Sequence, residues 1–247
     1  MITFARFEIV RTLRNAKFLG FLLAMPVGLY LVLASVEADD PSTGNDTQAV
    51  YTLLMIMMAV YAAIGSAMYA TGPELAQERA SGWIRQLLVT PLSFPSWMMA
   101  KVLQSLVLTL PGTIAVCVVA AVVHGVTMPL ANWLLLVVAV VLGSIPFGLL
   151  GQIIGQFFNN QAASAAQLFV LFGLSFVGGV LLPTQALPAT VQQIGKFTPT
   201  YHLVQLAQEV VLGQPVHWIH ALAIAVSAVV IGGVVLSLWR RDGATGN

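Results

Sequence analysis

Six apolar stretches, each close to the length that crosses a bilayer as a helix, divide this sequence. They cover residues 18–36, 50–72, 98–123, 132–157, 162–183 and 218–239, approximately. A hydrocarbon core of about 30 Å requires roughly 20 apolar residues in an α-helix. The pattern therefore predicts an all-α integral membrane protein with six transmembrane helices, folded as a single transmembrane domain over residues 1–247.

The scarcity of charge leads to the same class. Charged residues make up 8% of the chain and hydrophobic residues 58%, whereas a soluble domain carries roughly 25% charged residues. The lipid bilayer is therefore the expected main solvent. The net charge is +1 and no long basic run occurs, so nucleic acid is not a predicted partner. The single cysteine, Cys117, excludes a disulfide framework within one chain and is expected to pack as a small hydrophobic residue.

The positions of lysine and arginine predict the orientation. If the six stretches cross the membrane in order, nine of the ten basic residues fall on one side. These nine are Arg6, Arg11, Arg14, Lys17, Arg79, Arg85, Lys101, Arg240 and Arg241. Basic residues favour the cytoplasmic side, so both termini are expected there. The low share of lysine among the basic residues, with much alanine and valine, indicates a GC-rich bacterial genome. The expected location is therefore a bacterial plasma membrane.

The predicted cytoplasmic loop 72–101 concentrates charge between two apolar stretches. Within it, "SGWIRQLLVTP" predicts a short amphipathic helix over about 81–90. Its apolar face consists of Trp83, Ile84, Leu87 and Leu88, which recur at helical spacing. Such a helix could lie on the lipid surface or dock into a groove on a cytoplasmic partner. The residues alone leave both interpretations open.

The order of several residues here resembles a known family. Glu78, Gly82, Leu87-Leu88, Thr90-Pro91 and Lys101 follow one another as in the permease subunits of type 2 ABC exporters. The stretch "FVGGVLLPTQALPATVQQIGKFTPTYHLVQ" resembles the fifth span of that family and the outer re-entrant helical hairpin before the last span. The matching residues there are Gly179, Pro183, Pro188, Pro199 and Tyr201.

The resemblance implies roles for both segments. It implies that helix 81–90 is a coupling helix that contacts a separate ABC-type ATPase subunit. That subunit would carry ATP and Mg²⁺. This chain has no phosphate-binding loop, and no cofactor is predicted on it. The implied coupling residues are Glu78, Arg79, Gly82, Trp83, Ile84, Arg85, Leu87 and Leu88, with the three charged ones pairing across the contact. The outer hairpin, about 184–200, would act as a gate. An N-terminal interfacial helix is also implied.

Two departures from the family pattern concern this outer region. Gly178 stands where a serine is usual, and the basic residue common shortly after the tyrosine is absent.

The resemblance further implies a second permease subunit, either identical or paralogous.

The expected function is ATP-driven export of a hydrophobic or amphiphilic substrate, such as a drug, an antibiotic or a lipid-like molecule. The middle of each stretch lacks ionisable side chains, which argues against ion-coupled transport. Alternatives are a polysaccharide or glycolipid export permease, a membrane scaffold or sensor that transports nothing, and an intramembrane hydrolase using Ser175 and His220. Substrate-contacting residues are not assigned.

Smaller patterns give further expectations. A ridge of small residues, Ser144, Gly148, Gly151 and Gly155, could pack within one subunit or between two. Pro26, Pro111 and Pro146 should kink their spans.

Two patterns concern the predicted outer side. Val191, Ile194 and Phe197 predict an apolar hairpin face packed on protein. His217 and His220 could share one helix face, but no third ligand is apparent in the sequence, so no metal site is predicted.

Overall fold

The computed structural model describes residues 16–38, 47–83, 94–184 and 187–244. The regular elements within these ranges are helices. In chain order they are α1 (Ala16–Ala38), α2 (Thr47–Thr71), α3 (Pro73–Ala80), α4 (Phe94–His124), α5 (Leu130–Gly143), α6 (Ile145–Phe157), α7 (Asn160–Val177), α8 (Ala189–Gly195), α9 (Pro199–Val211) and α10 (Trp218–Ala244).

The predicted apolar stretches are largely helical in the structure, but the fifth, 162–183, is helical only as far as Val177. Within the described residues, four helical segments are long and apolar enough to cross a membrane: Thr47–Ala80, Trp97–His124, Leu130–Phe157 and Trp218–Trp239. Two shorter apolar helical segments, Leu22–Glu37 and Gln161–Val177, fall in the first and fifth predicted stretches. The structure thus confirms an all-helical integral membrane architecture, while the count of six spans stays a prediction.

Helix α2 forms the centre of the bundle. It packs most extensively against α4 and also against α6 and α1. Its middle third is rich in methionine, and Met55, Met57 and Met58 are almost fully buried. Methionine side chains adapt to irregular gaps, which suits a helix surrounded by several others. The supporting core of the chain is therefore built around α2.

The ridge of small residues lies along α6 and faces α2, α3 and α4 of the same chain. The Thr71 hydroxyl donates a hydrogen bond to the Gly148 carbonyl oxygen at 2.7 Å. A Cβ atom added at Gly148 would lie 2.8 Å from Ser105 Oγ, and one added at Gly155 would lie 2.8 Å from Leu75 Cβ. Such close approach requires glycine. Of the two alternatives left open by the sequence, packing within one chain is confirmed.

The fourth predicted span is divided into two helices. α5 ends at Gly143, Ser144 forms a turn, and α6 begins at Ile145 with Pro146 in its first turn. Proline has no backbone N–H and is tolerated best in the first turn of a helix, so the break falls just before Pro146. α5 packs against α9, whereas α6 packs against α2, α3 and α10. The two halves of this span thus belong to different ends of the bundle.

Candidate functional site

Helix α3 holds the entry to the predicted coupling segment. α2 ends at Thr71, and Gly72 redirects the chain into α3, whose first residue is Pro73. A Cβ atom at Gly72 would lie 3.2 Å from the Gly151 carbonyl oxygen, so glycine permits a close approach to α6 here. α3 packs against both α6 and α7. After α3, Gly82 adopts a positive φ of 75°, a conformation that glycine accepts without strain.

An ion pair buried in the protein joins α3 to α4. Lys101 Nζ donates to Glu78 Oε1 at 2.7 Å, and both side chains are almost completely shielded from solvent. Removing two charges from water is costly, and their mutual attraction offsets that cost only when the geometry is good. The pair therefore fixes the spacing between the start and the end of the loop that contains the predicted coupling helix.

Two further polar contacts surround this pair. Gln104 Nε2 donates to Glu74 Oε2 at 2.8 Å, one turn along both helices. Arg79 Nη1 donates to the Gly155 carbonyl oxygen near the end of α6 at 3.4 Å. We call Glu74, Glu78, Arg79, Lys101 and Gln104 the polar bracket. It connects α3 to α4 through side chains on both helices, and α3 to the backbone of α6 through Arg79.

The predicted coupling residues divide between described and undescribed parts of the chain. Arg79 is exposed and Gly82 and Trp83 are half-buried. Glu78 turns inward to Lys101, so its carboxylate holds the bracket within this chain. Ile84, Arg85, Leu87 and Leu88 lie outside the described residues, as does the predicted N-terminal interfacial helix before residue 16. Their roles stay predictions.

Gly179 ends α7 in a motif that explains why glycine stands there. Its φ is +78°. The Val180 amide donates to the Ser175 carbonyl oxygen at 2.8 Å, and the Gly179 amide donates to the Phe176 carbonyl oxygen at 3.4 Å. This is the Schellman pattern of helix ends. The preceding residue, Gly178, packs against the Thr200 side chain, so a serine here would collide with α9.

The other predicted gate residues initiate the two helices of the outer hairpin. Pro188 precedes α8 and Pro199 is the first residue of α9. The Thr198 hydroxyl oxygen caps α9 by accepting a hydrogen bond from the Tyr201 amide at 3.3 Å. α9 continues to Val211, beyond the predicted end of the hairpin near residue 200.

The predicted apolar face of α8 does not pack on this chain. Ile194 is 61% exposed and Phe197 is 87% exposed on this chain, so the packing of these two residues against protein stays a prediction. Gly195 makes the close contact instead, because it lies against the backbone of Val177. The spacing of the apolar residues could not distinguish a face that packs on its own chain from one that faces lipid or another subunit.

A cavity of about 250 Å³ lies between α2 and the outer hairpin. It brings Gly179 and Pro183 together with Thr184, Gln205 and Gln208, opposite apolar side chains of α2 such as Ile56. Sequence reasoning missed the two glutamines as wall residues because the pattern of α9 was not recognised as a helix. A second cavity of about 150 Å³ lies between α1, α2 and α7 and is lined by Met25, Tyr61, Tyr69, Gln167 and Leu171, among others.

The structure does not support the hydrolase alternative. Ser175 is buried, and its hydroxyl has no hydrogen-bond partner among the described residues. The proposed base, His220, is bonded instead to His202 and lies beside Glu209. A nucleophilic serine requires a base within hydrogen-bond reach, and His220 does not fill that role.

Comparison with known proteins agrees with this architecture. Residues 13–239 match the family described as ABC-2 family transporter protein. The chain is 26% identical to the transport permease YvfS of Bacillus subtilis (strain 168) over 211 residues, which is 85% of each protein. It is 33% identical over 159 residues to the inner membrane transport permease YhhJ of Escherichia coli (strain K12), an alignment that covers 58% of this chain and 39% of that permease. Since the match extends over nearly the whole chain, this protein belongs to the ABC-2 family of transporters.

Proposed function

We propose that this chain is the membrane-spanning permease subunit of an ATP-driven exporter, powered by a separate ABC-type ATPase subunit. The family match over residues 13–239 supports the permease role. The polar bracket, whose Glu78–Lys101 ion pair is buried, is the structural observation that carries the coupling role, because it anchors the two ends of a short cytoplasmic loop to the centre of the bundle.

In this proposal the segment 81–90 docks on the ATPase. Trp83, Ile84, Leu87 and Leu88 fill a groove on that subunit, while Arg79 and Arg85 pair with its acidic groups. Glu78 has a positioning role, because its carboxylate is held by Lys101 within this chain. A movement of the docked segment is then transmitted to α4 through the ion pair and to α6 through the packing of α3.

The substrate we propose is hydrophobic or amphiphilic, and it leaves the cell. The cavity between α2 and the outer hairpin combines amide and hydroxyl groups with apolar side chains, which suits a molecule with both kinds of surface. The narrower cavity beside α1 is lined mainly by apolar side chains and tyrosines. A second permease subunit completes the pathway, and the exposed aromatic residues of α7, Phe169, Phe172 and Phe176, provide a surface for it.

Purification together with a co-expressed ABC-type ATPase subunit from the same organism tests the proposal. Wild type and the variants Leu87→Glu and Ile84→Glu are compared for bound ATPase in detergent and for substrate-stimulated ATP hydrolysis in lipid nanodiscs. A carboxylate placed in a desolvated apolar groove carries a large free-energy penalty. We therefore expect both variants to lose the ATPase while keeping the wild-type elution volume in size-exclusion chromatography.

Ile194→Glu is the matched control, because it makes the same change at an exposed position of α8. It should retain the ATPase. Equal binding by all variants would refute docking through this segment. An ATPase that binds but hydrolyses at a rate indifferent to every candidate substrate would favour the scaffold or sensor alternative. Stimulation by polysaccharide or glycolipid alone would replace the proposed substrate class.

A further inference from the structure

Three of the four histidines of this chain converge at the junction between α9 and α10. The sequence contains four histidines. His202 lies in α9, His217 directly precedes α10, and His220 lies in its first turn. They meet around Glu209 of α9, whose side chain is buried. We call these four residues the histidine cluster.

The Glu209 carboxylate is fixed on both oxygens. Oε2 accepts a hydrogen bond from the His217 backbone amide at 3.0 Å, and Oε1 lies 2.5 Å from His217 Nδ1 and 3.4 Å from His220 Nε2. Burial alone would raise the pKa of the Glu209 carboxyl, but the hydrogen bonds from His217 and the nearby His220 ring outweigh it and lower that pKa. One carboxylate oxygen is thus oriented by backbone while the other faces two imidazole nitrogens.

The other nitrogen of His220 has its own partner. His220 Nδ1 lies 2.9 Å from His202 Nδ1, so the two rings share one proton in a hydrogen bond. When His220 donates that proton, its Nε2 carries a lone pair directed toward Glu209 Oε1. Metal-binding histidines almost always donate their second N–H to a carboxylate, a backbone carbonyl or water, which fixes the tautomer and the ring orientation. Here the His202 ring nitrogen takes the place of that acceptor.

From this geometry we propose that Glu209 Oε1, His217 Nδ1 and His220 Nε2 bind one divalent ion of the zinc class, with His202 as the residue that positions His220. The three donor atoms lie within 4.8 Å of one another. Donors that share a tetrahedral zinc at about 2.0–2.1 Å from each are roughly 3.3 Å apart, close to the Glu209–His220 separation. Two imidazoles and one carboxylate are a donor set that zinc prefers. The fourth position is open to water.

The site requires little rearrangement. His217 is 67% exposed, so its ring can move back from Glu209 to admit the ion. The turn that brings the ligands together is already fixed: Gly213 has φ +64°, and the Gln214 amide donates to the Glu209 carbonyl oxygen at 2.9 Å. A bound ion would therefore fasten the second helix of the outer hairpin to the last span. A third ligand for His217 and His220 was not apparent from the sequence because this turn separates them from Glu209.

Zinc titration of the purified protein tests the site. The protein is prepared without a polyhistidine tag, stripped with chelator, and titrated with Zn²⁺ by calorimetry; Co²⁺ then serves as a probe, because tetrahedral Co²⁺ with nitrogen and oxygen ligands gives intense visible bands. We expect one ion per chain. His217→Ala should weaken binding at least about tenfold, and His202→Phe by about 10–100-fold, as losses of a ligand and of an orienting partner do. Zinc should also raise the Tm of wild type and not that of His217→Ala.

His124→Gln is the control, since His124 is the one histidine outside the cluster and contacts Tyr30 and Tyr51. It should bind zinc like wild type. His217 is exposed, so His217→Ala is expected to fold, and Glu209→Gln serves as a second test of the ligand set. The proposal is overturned if wild type binds no zinc, or if all variants bind it equally. Loss of binding in His124→Gln alone would place the ion elsewhere and also overturn it.

Discussion

Lys101 Nζ lies 2.7 Å from Glu78 Oε1 in the interior of the protein, across 23 residues of chain. The pair joins the end of the second apolar segment to the start of the third, and the loop between them is the predicted coupling segment. Both charges are desolvated, which makes the pair sensitive to the loss of either partner. The ion pair therefore links the helix that precedes the loop directly to the helix that follows it.

Lys101→Met should destabilise the protein by about 3–5 kcal/mol, because it leaves the Glu78 carboxylate buried without its cation. The double variant Glu78→Leu with Lys101→Met should recover most of that loss, since two apolar side chains of similar volume remove both desolvation costs. The free energy of unfolding is measured by SDS titration in mixed micelles. Arg79→Met, which removes an exposed charge, should change stability by less than about 1 kcal/mol. A double variant as unstable as the single one would contradict this account.

Gly151→Ala and Gly233→Ala should have opposite effects. A Cβ atom at Gly151 meets the Thr71 side chain and the Met68 backbone, whereas one at Gly233 meets nothing within 4 Å. Overpacking at Gly151 should cost about 1–3 kcal/mol, while Gly233→Ala should be neutral or stabilise α10 by up to about 1 kcal/mol. The same SDS titration compares them. Equal effects would mean that the α6 ridge does not need close backbone contact.

Gly179→Ala should cost more than Gly213→Ala. Both glycines end a helix at positive φ, +78° and +64° respectively. An alanine at either position pays about 1–2 kcal/mol for the left-handed conformation. At Gly179 the added methyl group also collides with the Thr184 side chain, and at Gly213 it meets nothing within 4 Å. The difference in Tm between the two variants, measured by thermal unfolding, gives the steric contribution of the clash with Thr184. A Tm lower for Gly213→Ala would show that the Gly179 turn can rearrange freely.

Ser175→Ala should leave transport-coupled ATP hydrolysis unchanged and should be neutral or stabilising by up to about 1 kcal/mol. The Ser175 hydroxyl is buried without a hydrogen-bond partner among the described residues, and removing such a group relieves its desolvation cost. Ser66→Ala is the control, because the Ser66 hydroxyl donates to the Ala62 carbonyl oxygen at 2.5 Å. That variant should lose a bond worth about 0.5–1.5 kcal/mol. A large loss of activity in Ser175→Ala alone would revive a catalytic role.

The helices of the bundle could be predicted because apolar length is a local property of the sequence. The ridge on α6 was also visible as small residues at helical spacing, although its partners were not. What could not be predicted depends on distant parts of the chain. Lys101 could have paired with any of several acidic residues, so its pairing with Glu78 could not be predicted. Helix α9 was not recognised because Gln205, Gln208 and Glu209 interrupt its apolar pattern. Gln205 and Gln208 line the outer cavity, and Glu209 completes the histidine cluster.

The solvent exposure of each helix face also could not be predicted from the sequence. Ile194 and Phe197 share a spacing with Val191, yet they face away from this chain. Periodicity shows which residues lie on one helix face, and it does not show what that face contacts. The loop residues Ile84, Leu87 and Leu88 have the same kind of pattern, and for them the docking experiment supplies what periodicity leaves open.

The break at Ser144 gives the fourth apolar segment a particular place in the molecule. One half, α6, packs on α3, which carries part of the polar bracket; the other half, α5, packs on α9, which contributes Gln205 and Gln208 to the wall of the outer cavity. This segment of 28 residues, Leu130–Phe157, therefore connects the region of the polar bracket with the region of the outer hairpin. Ser144 and Pro146 form the break between its two helical halves. A substitution at that break would alter how the two halves move relative to each other without changing the residues of the polar bracket or of the outer cavity.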